Sequence, residues 1–482
     1  MGLLGILVAL GLLIWLAYRG WSVLLLAPAA AVLAAGLAGE PLLAHWTQTF
    51  MGSAARFIMQ FFPIFLLGAL FGKLMEDSGS VTAIANFMTE RLGPRRAVLA
   101  VVLAGALFTY GGVSLFVAFF VLAPMAHELF RSAGIPKQLM PAAIALGTST
   151  FTMSALPGTP AIQNAIPMPF FGTTPFAAPG LGIIASVIML GFGLWWLARA
   201  EVRARGKGEG YGAAAQSHDA ARDLIVRERA TTASTFDPAE VSHGHQSDAA
   251  PSIALAVLPL AIVVTVNLVM SLFILPRLDA SYLADEAWGS TDLSAVGGVW
   301  AVVTALAAAI VALVAVNLRR LPALRESMDA GVNASALPVL SVASLVGFGS
   351  VVAALPAFAI VRDWVLSIEG GPLVSLAVAT NVLASLTGSA SGGLTIALDA
   401  LGSTYSRIAA EQGIDPGLLH RVAVIGAGTL DSLPHNGAVV TLLAVCDSTH
   451  RESYFDIVMV SIVGGLLALA AVIGLGSAFG SF

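Results

Sequence analysis

Long apolar runs separated by short polar connections dominate the chain. Ten of them approach the roughly 20 residues that an α-helix needs to cross a bilayer. They are the segments 2–18, 21–38, 54–75, 137–165, 180–198, 252–275, 294–316, 335–358, 421–445 and 457–479. The first run lacks the basic start and small-residue cleavage site of a signal peptide, so we predict that it is a retained transmembrane helix. The pattern predicts an all-α polytopic membrane protein.

Two further apolar runs do not fit a simple crossing. The run 95–131 begins and ends with arginine and is interrupted by a polar, glycine-containing stretch at 109–114. The run 372–402 is interrupted in the same way at 386–393. Irregular backbone survives at membrane depth only where it is buried in protein or lines a wet cavity, because unpaired N–H and C=O groups are costly in hydrocarbon. We therefore predict two re-entrant hairpins whose apices belong to a functional site.

Composition supports the membrane assignment and excludes other classes. Only 11% of the residues are charged, whereas soluble proteins carry about 25%. The 23 Lys and Arg residues against 28 Asp and Glu residues leave no basic surplus for a nucleic-acid partner. The single cysteine, Cys446, excludes an internal disulfide framework, and no His/Cys cluster suggests a metal site. We expect membrane lipids as surroundings, and no cofactor, metal or nucleic acid.

The placement of charge predicts the orientation and the domains. Seven Lys and Arg residues between positions 199 and 229 mark a cytoplasmic linker, since basic residues are retained on that side. The acidic loop 277–292 and both termini are then outside. We divide the chain into a first repeat at 1–200, the linker at 201–250 and a second repeat at 251–482. Five crossings on each side of the linker require the two repeats to be inverted relative to each other.

The sequence itself contains a repeat, visible as four matches in the same order at a nearly constant offset. The matched pairs are Pro63 and Gly72 with Pro338 and Gly347, 111–114 with 392–395, 134–136 with 413–416, and 154–157 with 431–434. Inverted repeats with broken helices near the midplane are the sequence pointer to a secondary transporter, because half-helix ends and freed backbone groups bind a polar substrate there.

Two of the predicted spans, 137–165 and 421–445, contain the residues expected at such breaks. The stretches 147–160 and 426–437 place hydroxyl, amide and ionisable side chains beside proline and glycine, and proline releases helical carbonyls. Substrate contacts are predicted at Thr109, Gly111, Gly112, Ser114, Ser149, Thr150, Ser154, Gly158, Thr159, Asn164, Thr387, Gly388, Ser389, Ser391, Gly392, Ser432 and Asn436. No buried Arg or Lys is expected near these elements.

Asp431 and His435 are predicted to carry the coupling proton, since an ionisable side chain inside a span is costly and usually marks a pathway or a relay. The alternatives are a lumenal helix end that solvent reaches, or a local hydrogen bond between these two side chains that only stabilises the break. The hydroxyl groups have an alternative as well, because Ser and Thr in helices also bond their own i−4 carbonyl. For the glycines, the alternative to a ligand contact is that they only permit a tight turn. Lys73, Glu76 and Asp77 are predicted to form a solvated helix end.

The chain resembles the gluconate:proton symporter (GntP) family of bacterial permeases, within the ion-transporter superfamily. The resemblance is clearest in the segments 68–79, 108–124, 157–162 and 386–390 and extends over nearly the whole chain except the linker. It implies uptake of small hydroxylated organic anions across the bacterial cytoplasmic (inner) membrane, driven by proton co-entry. It also implies a homodimer in which each protomer has a fixed scaffold and a moving part that holds two opposed hairpins.

The chain departs from the gluconate branch at both breaks. Where this chain has residues 154–160, the gluconate branch has a run similar to Pro-Pro-His-Pro-Gly-Pro. Where this chain has residues 431–436, the branch has a run similar to His-Val-Asn-Asp-Pro. The first break therefore lacks the histidine of the family. This departure favours a less hydroxylated acid such as 3-hydroxybutyrate, as in the hydroxybutyrate permease branch.

Together these features predict a secondary transporter and not an enzyme: a proton-coupled symporter for gluconate or a short hydroxy acid such as 3-hydroxybutyrate or glycerate. A sodium-coupled carboxylate symporter of the same fold is the alternative, because carbonyls at broken helices also bind cations. An intramembrane hydrolase is a third hypothesis. It is disfavoured because no nucleophile and base stand at a fixed spacing in the sequence.

Overall fold

The computed structural model describes residues 2–19, 21–207, 210–211, 244–247, 249–434 and 436–482. All regular secondary structure in these ranges is helical. The prediction of an all-α membrane protein is confirmed. Most of the linker, and His435 in the second break, lie outside the described residues.

The first half forms helices of very different lengths. They are α1 (Gly2–Tyr18), α2 (Val23–Ala38), α3 (Leu42–Asp77), α4 (Ser80–Leu92), α5 (Ala97–Tyr110), α6 (Leu115–Ala133), α7 (Met140–Thr148), α8 (Phe151–Ser154), α9 (Ile162–Ala165), α10 (Pro167–Phe171) and α11 (Pro179–Gly206). Short 3-10 helices precede α5 at Pro94–Arg96 and α7 at Lys137–Leu139.

The second half begins after the linker. Its helices are α12 (Ile253–Arg277), α13 (Leu293–Asn317), α14 (Leu324–Ala354), α15 (Phe358–Leu366), α16 (Gly371–Thr387), α17 (Ala390–Gln412), α18 (Pro416–Leu430), α19 (Gly437–Val445) and α20 (His450–Phe479). Within α20, the residues Val458–Val463 form a π-helical turn. Short 3-10 helices occupy part of the loop before α13, at Ser281–Ala284 and Glu286–Trp288.

Seven helices of the described part are long and apolar enough to cross a membrane, namely α3, α6, α11, α12, α13, α14 and α20. The helices on either side of Gly93 form an eighth candidate that is bent by 100°. α1, α2 and α16 are shorter apolar helices. The predicted spans 137–165 and 421–445 are each divided into short helices by irregular backbone, as expected from their proline and glycine content.

Each predicted hairpin consists of two helices that pack on each other across a tight turn. The residues 111–114 join α5 to α6, and Gly112 adopts a φ of 95°. Gly388, with a φ of 62°, joins α16 to α17. Glycine suits both turns because other residues are strained at positive φ. The side chains of Ser114 and Ser389 then accept backbone N–H groups and cap the second arm of each hairpin.

The order of elements is the same in both halves: a long helix, a short helix, a hairpin and a broken helix. The long helices α3 and α14 each contain a proline, Pro63 and Pro338, and pack along one another. The inversion of the halves stays a prediction, because it depends on where the two faces of the membrane lie.

The hairpins and broken helices of the two halves meet in the interior. α5 packs on α7, α16 packs on α18, and α6 of the first half contacts α19 of the second. Side chains of these helices, such as Phe108, Leu146 and Ile425, are fully buried. This arrangement brings the four predicted site elements together.

The C-terminal end of α3 is buried, so the prediction of a solvated helix end is wrong. Lys73, Glu76 and Asp77 are only 2%, 8% and 1% exposed. The N–H of Ser247, at the end of the linker, donates to the Asp77 carbonyl oxygen at 2.8 Å. The backbone of Gly244 lies against the Asp77 carboxylate. A segment that is remote in sequence therefore covers these charges, and the local sequence pattern does not contain that information.

Candidate functional site

A cavity of about 50 Å³ lies where the two halves meet. Its wall is formed by the start of α6, both broken helices, the turn of the second hairpin and the π-helical turn of α20. The polar side chains that line it are Ser149, Ser154, Gln163, Asp431, Ser432, Asn436 and Ser461. Asp431 is the one ionisable side chain among the described lining residues. Gly388 contributes backbone from the hairpin turn.

A second cavity, of about 70 Å³, lies between the first hairpin and α3. The predicted residues Thr109, Gly112 and Ser114 line it. Leu115 and Met153 line both cavities and form the partition between them. Both hairpin turns and both breaks thus contribute residues to two adjacent cavities.

Several predicted hydroxyl groups donate to their own helix in this conformation. Thr109, Ser149, Thr150, Ser154 and Thr387 each donate to the carbonyl oxygen four residues earlier, at 2.7–3.1 Å. This is the alternative role expected of Ser and Thr in membrane helices. Their oxygens remain able to accept a hydrogen bond, but a carboxylate substrate would have to replace an existing bond to receive their protons.

The carbonyl groups released by the first break are paired with side-chain donors. Tyr110 donates to Pro157 (2.9 Å), Asn267 to Gly158 (2.9 Å), and Asn164 to both Thr159 (3.1 Å) and Pro175 (3.0 Å). Such pairing is required because an unpaired carbonyl at membrane depth costs several kcal/mol. The irregular segment 155–161 is therefore held from α5, from α12 and from the chain that follows it.

A fully buried cation, Arg421 of α18, also holds the first break. Its guanidinium group donates to the carbonyl oxygens of Ser154 at 3.2 Å and Ala177 at 2.7 Å. None of the ion pairs in the described part of the chain involves it. The expectation of no buried Arg or Lys near these elements is wrong, because Arg421 lies more than one turn beyond the exposed start of α18 at Pro416 and packs against the first break.

The neighbouring His420 is also fully buried and belongs to the same network. One of its ring nitrogens, Nε2, lies 3.1 Å from Asn164 Oδ1, and the other, Nδ1, lies 2.7 Å from Thr173 Oγ1. Asn164 therefore connects α18 to the paired carbonyls of the first break. Its position in this network gives it a structural role, and a direct contact with substrate stays a prediction.

Asp431 lies directly after α18, where the second break begins. Its carboxylate accepts a hydrogen bond from the Ser432 hydroxyl at 3.3 Å and lies beside the backbone N–H of Ala390. Ala390 is the first residue of α17, and a helix N-terminus favours negative charge. Asn436 caps α19 and donates to the Gly388 carbonyl oxygen at 2.9 Å. The second break is thus tied directly to the second hairpin.

The other predicted residues do not line either of these two cavities. They are Gly111, Thr150, Gly158, Thr159, Asn164, Thr387, Ser389, Ser391 and Gly392. Gly111 and Gly392 pack closely against Leu260 and Leu345, so the lack of a side chain serves helix packing there. His435 lies outside the described residues, and its role in proton coupling stays a prediction.

Two polar residues of the first cavity, Gln163 and Ser461, are not among the predicted substrate contacts. Gln163 Oε1 and Ser461 Oγ are buried and have no hydrogen-bond partner within the described ranges. Gln163 stands beside Asn164 in the first break, which is a signal that was available. Ser461 falls in the π-helical turn of α20, and such turns are frequent at functional sites, but an isolated serine in an apolar run gives little warning.

A helical membrane protein with two hairpins and two broken helices around a central cavity has the architecture of a transporter. Comparison with known proteins agrees. Residues 1–173 match the GntP family permease family. Over 470 residues the chain is 41% identical to YxjC of Bacillus subtilis (strain 168), an uncharacterized transporter, and the match covers 96% of each protein. The chain belongs to the GntP permease family and is a multi-pass membrane transporter, not an enzyme.

A shorter match is to the high-affinity gluconate transporter of Escherichia coli (strain K12), with 39% identity over 106 residues. It covers 21% of this chain and 23% of that protein.

Two solved structures of transporters share the fold. The Alcanivorax borkumensis YdaH transporter has a TM-score of 0.55 and 17% identity, covering 91% of this chain and 89% of that one. Neisseria gonorrhoeae MtrF, described as one of a class of antimetabolite efflux pumps, has a TM-score of 0.52 and 13% identity, covering 91% and 85%. At these identities the likeness concerns the fold alone.

Proposed function

We propose that this transporter takes up a small organic anion together with a proton, and that Asp431 binds the proton. The charge of the first cavity carries the proposal, because the one ionisable side chain among its described lining residues is an acid. A carboxylate substrate and an ionised Asp431 would repel each other strongly in so small a space. The anion therefore binds when Asp431 is protonated, and this requirement couples the two.

Sodium coupling has less support. A sodium site at a broken helix needs released carbonyl oxygens, and those of the first break are already paired with Tyr110, Asn164, Asn267 and Arg421. The guanidinium charge of Arg421 also opposes a second cation nearby. A proton on Asp431 requires no such ligands.

The unpaired polar atoms of the first cavity favour a hydroxy acid. Ser461 can donate its hydroxyl proton to a carboxylate, and Gln163 Oε1 can accept a hydrogen bond from a substrate hydroxyl. The departure from the gluconate branch at both breaks favours a short acid such as 3-hydroxybutyrate or glycerate over gluconate. Gluconate is the natural comparison, because a transporter with partial similarity is named for it.

We also propose a homodimer in a bacterial cytoplasmic membrane, with both termini outside and the linker inside. The Lys and Arg residues of the linker support this orientation. The contact between Ser247 and Asp77 supports it as well, because it puts the linker and the end of α3 on one side. The bacterial origin of the relatives supports the choice of membrane.

Purified protein in proteoliposomes tests the proposed function. With an inward proton gradient and no sodium, we expect accumulation of 3-hydroxybutyrate or glycerate that a protonophore abolishes. Accumulation that requires a sodium gradient would instead identify the sodium-coupled alternative. Absence of uptake across a panel that includes gluconate and lactate would reject the proposal.

An Asp431→Asn variant tests the proton-binding residue. Asparagine stays neutral, so anion binding should persist and lose its pH dependence, while proton-driven accumulation falls by about tenfold or more. Asp329→Asn, at a largely exposed acid on α14, is the matched control and should behave as wild type. Full proton-driven accumulation by Asp431→Asn would remove this residue from the coupling role.

A further inference from the structure

The charged cluster at the end of α3 lies outside both cavities and has unused chemistry. Lys73 Nζ is 2.9 Å from Asp77 Oδ1 and 3.5 Å from Glu76 Oε2. All three residues are more than nine-tenths buried. Glu76 Oε2 and Asp77 Oδ2 are buried without a hydrogen-bond partner in the part of the chain that the structure describes. We refer to Lys73, Glu76 and Asp77 as the α3 triad.

The elements that pack on the α3 triad bring no further charge close to Glu76 among the described residues. α14 presents Gly331 to the Lys73 side chain, and the linker end presents the backbone of Gly244. At the start of α4, the hydroxyls of Ser78 and Ser80 bond each other at 2.8 Å. Within the described ranges, the charges that act on Glu76 are those of Lys73 and Asp77.

The α3 triad has one more acid than base. With both carboxylates ionised, it would hold a net negative charge in a medium of low dielectric, which is strongly unfavourable. Binding one proton removes that charge and leaves an ammonium, one carboxylate and one carboxylic acid. Lys73 lies closer to Asp77 than to Glu76, so the proton belongs on Glu76. The reverse step returns the proton to water and leaves Glu76 ionised.

The α3 triad is also connected to the cavities. The residue before Lys73, Gly72, packs on the turn of the first hairpin, and a Cβ placed there would lie 3.2 Å from the Ser114 backbone nitrogen. Ser114 lines the second cavity. A change in the charge of the α3 triad therefore occurs next to Gly72, the residue through which α3 contacts the turn of the first hairpin.

We propose that the α3 triad is a second proton site, with the exchangeable proton on Glu76, and that its protonation controls net transport. The site itself is independent of the substrate, whereas its effect on transport rests on the proposed function. The site adds a proton-binding group at the end of α3, outside both cavities.

Infrared titration of the substrate-free, full-length protein tests the site. We expect a protonated-carboxyl band with a component, separate from that of Asp431, that is lost as pH rises, and Glu76→Gln should lack that component. Asp77→Asn should also lack it, because Lys73 then suffices to neutralise an ionised Glu76. Glu90→Gln, at an exposed acid on α4, should retain it. A band that is unchanged in both Glu76→Gln and Asp77→Asn would overturn the proposal.

Transport assays test the consequence. A Glu76→Gln carrier is permanently neutral at this position, so substrate exchange should persist, while net proton-driven uptake falls by about tenfold and keeps only the pH dependence that Asp431 confers. A wild-type pH profile for net uptake by Glu76→Gln would overturn the transport role. If wild-type protein takes up no hydroxy acid, the proposed function fails, and the infrared result still decides whether the α3 triad binds a proton.

Discussion

At the scale of single residues, buried donors replace the helical hydrogen bonds that the first break loses. Arg421 serves two carbonyl groups, those of Ser154 and Ala177, and its side chain is fully buried. Arginine suits this task because its guanidinium group presents several donors in a fixed plane. A broken helix can thus persist in the interior without open carbonyls.

An Arg421→Met variant should lose stability. It leaves two buried carbonyl groups unpaired, and each unsatisfied group costs about 1–3 kcal/mol. We expect thermal unfolding in detergent to begin at a clearly lower temperature. Arg325→Met is the matched control, since the Arg325 side chain is 94% exposed. Equal unfolding temperatures for Arg421→Met and wild type would show that these bonds contribute little.

Ser461→Ala should separate binding from stability. The Ser461 hydroxyl has no partner in the described structure, so its removal should leave the unfolding temperature unchanged. Loss of one hydrogen bond to the anion should weaken binding by about tenfold, measured as Kd or as KM for uptake. Ser186→Ala is the control. Ser186 lines neither cavity, and its hydroxyl donates to the Gly182 carbonyl oxygen at 2.8 Å, so this variant should leave binding unchanged. Wild-type affinity in Ser461→Ala would exclude this contact.

At the scale of elements, glycine sets how closely the two arms of the second hairpin approach. A Cβ at Gly393 in α17 would lie 2.3 Å from backbone atoms of Ala384 in α16. Backbone cannot move aside as a flexible side chain can, so the hairpin requires glycine there. The matched glycines of 111–114 and 392–395 therefore serve different purposes. In the first hairpin they form the turn, and in the second they allow the two arms to pack closely.

Gly393→Ala should accordingly separate the arms and destabilise the protein by about 1–3 kcal/mol, as overpacking does. Gly474→Ala on α20 is a matched control, because a Cβ at that position would meet no other part of the protein within 4 Å. Alanine should be neutral or stabilising there. Thermal unfolding and uptake of both variants would be compared. Equal behaviour of the two variants would contradict the close approach of the arms.

The cap of α13 should give a local pH dependence. The Ser294 hydroxyl and the Ala295 N–H donate to the exposed Asp292 carboxylate and lower its pKa. Because the pKa of Asp292 is lower in the folded state, the cap stabilises the folded protein fully at pH values above the ordinary Asp pKa of about 3.9. That stabilisation is lost as pH falls through the folded-state pKa. Asp292→Ala should cost about 1 kcal/mol at neutral pH, and the difference from wild type should vanish in acid. A pH-independent difference would argue against the cap.

At the scale of the whole molecule, cysteine labelling tests the orientation. The native Cys446 is fully buried, so the wild-type protein should resist a membrane-impermeant maleimide. In intact cells, Glu286→Cys in the loop before α13 should label, whereas His245→Cys in the linker should label only after permeabilisation. The opposite pattern would reverse the proposed orientation, and labelling of both from one side would contradict the single crossing, α12, between them.

The architecture of the membrane domain was largely predictable because its signals are local. Apolar length predicts helices, and glycine, proline and hydroxyl residues inside a span predict an interruption. The breaks near 111–114 and 431–436 follow from such signals. The residues that pair with or cover a side chain cannot be predicted from local signals. From the sequence, Arg421 is predicted at the start of a span and Lys73 at a solvated helix end. Both are buried by chain that is far away in sequence, at Ala177 and at Gly244.

The sequence by itself determined the class of protein, the helices and the elements that approach the site, since each depends on the composition of a short segment. Only the tertiary structure decided which polar groups remain available. It paired Asn164 with backbone carbonyls and left Gln163, Ser461 and the Asp431 carboxylate at the cavity. Hydrogen-bond capacity is used up by neighbours in space, so the free groups of a site appear only when the whole chain is folded.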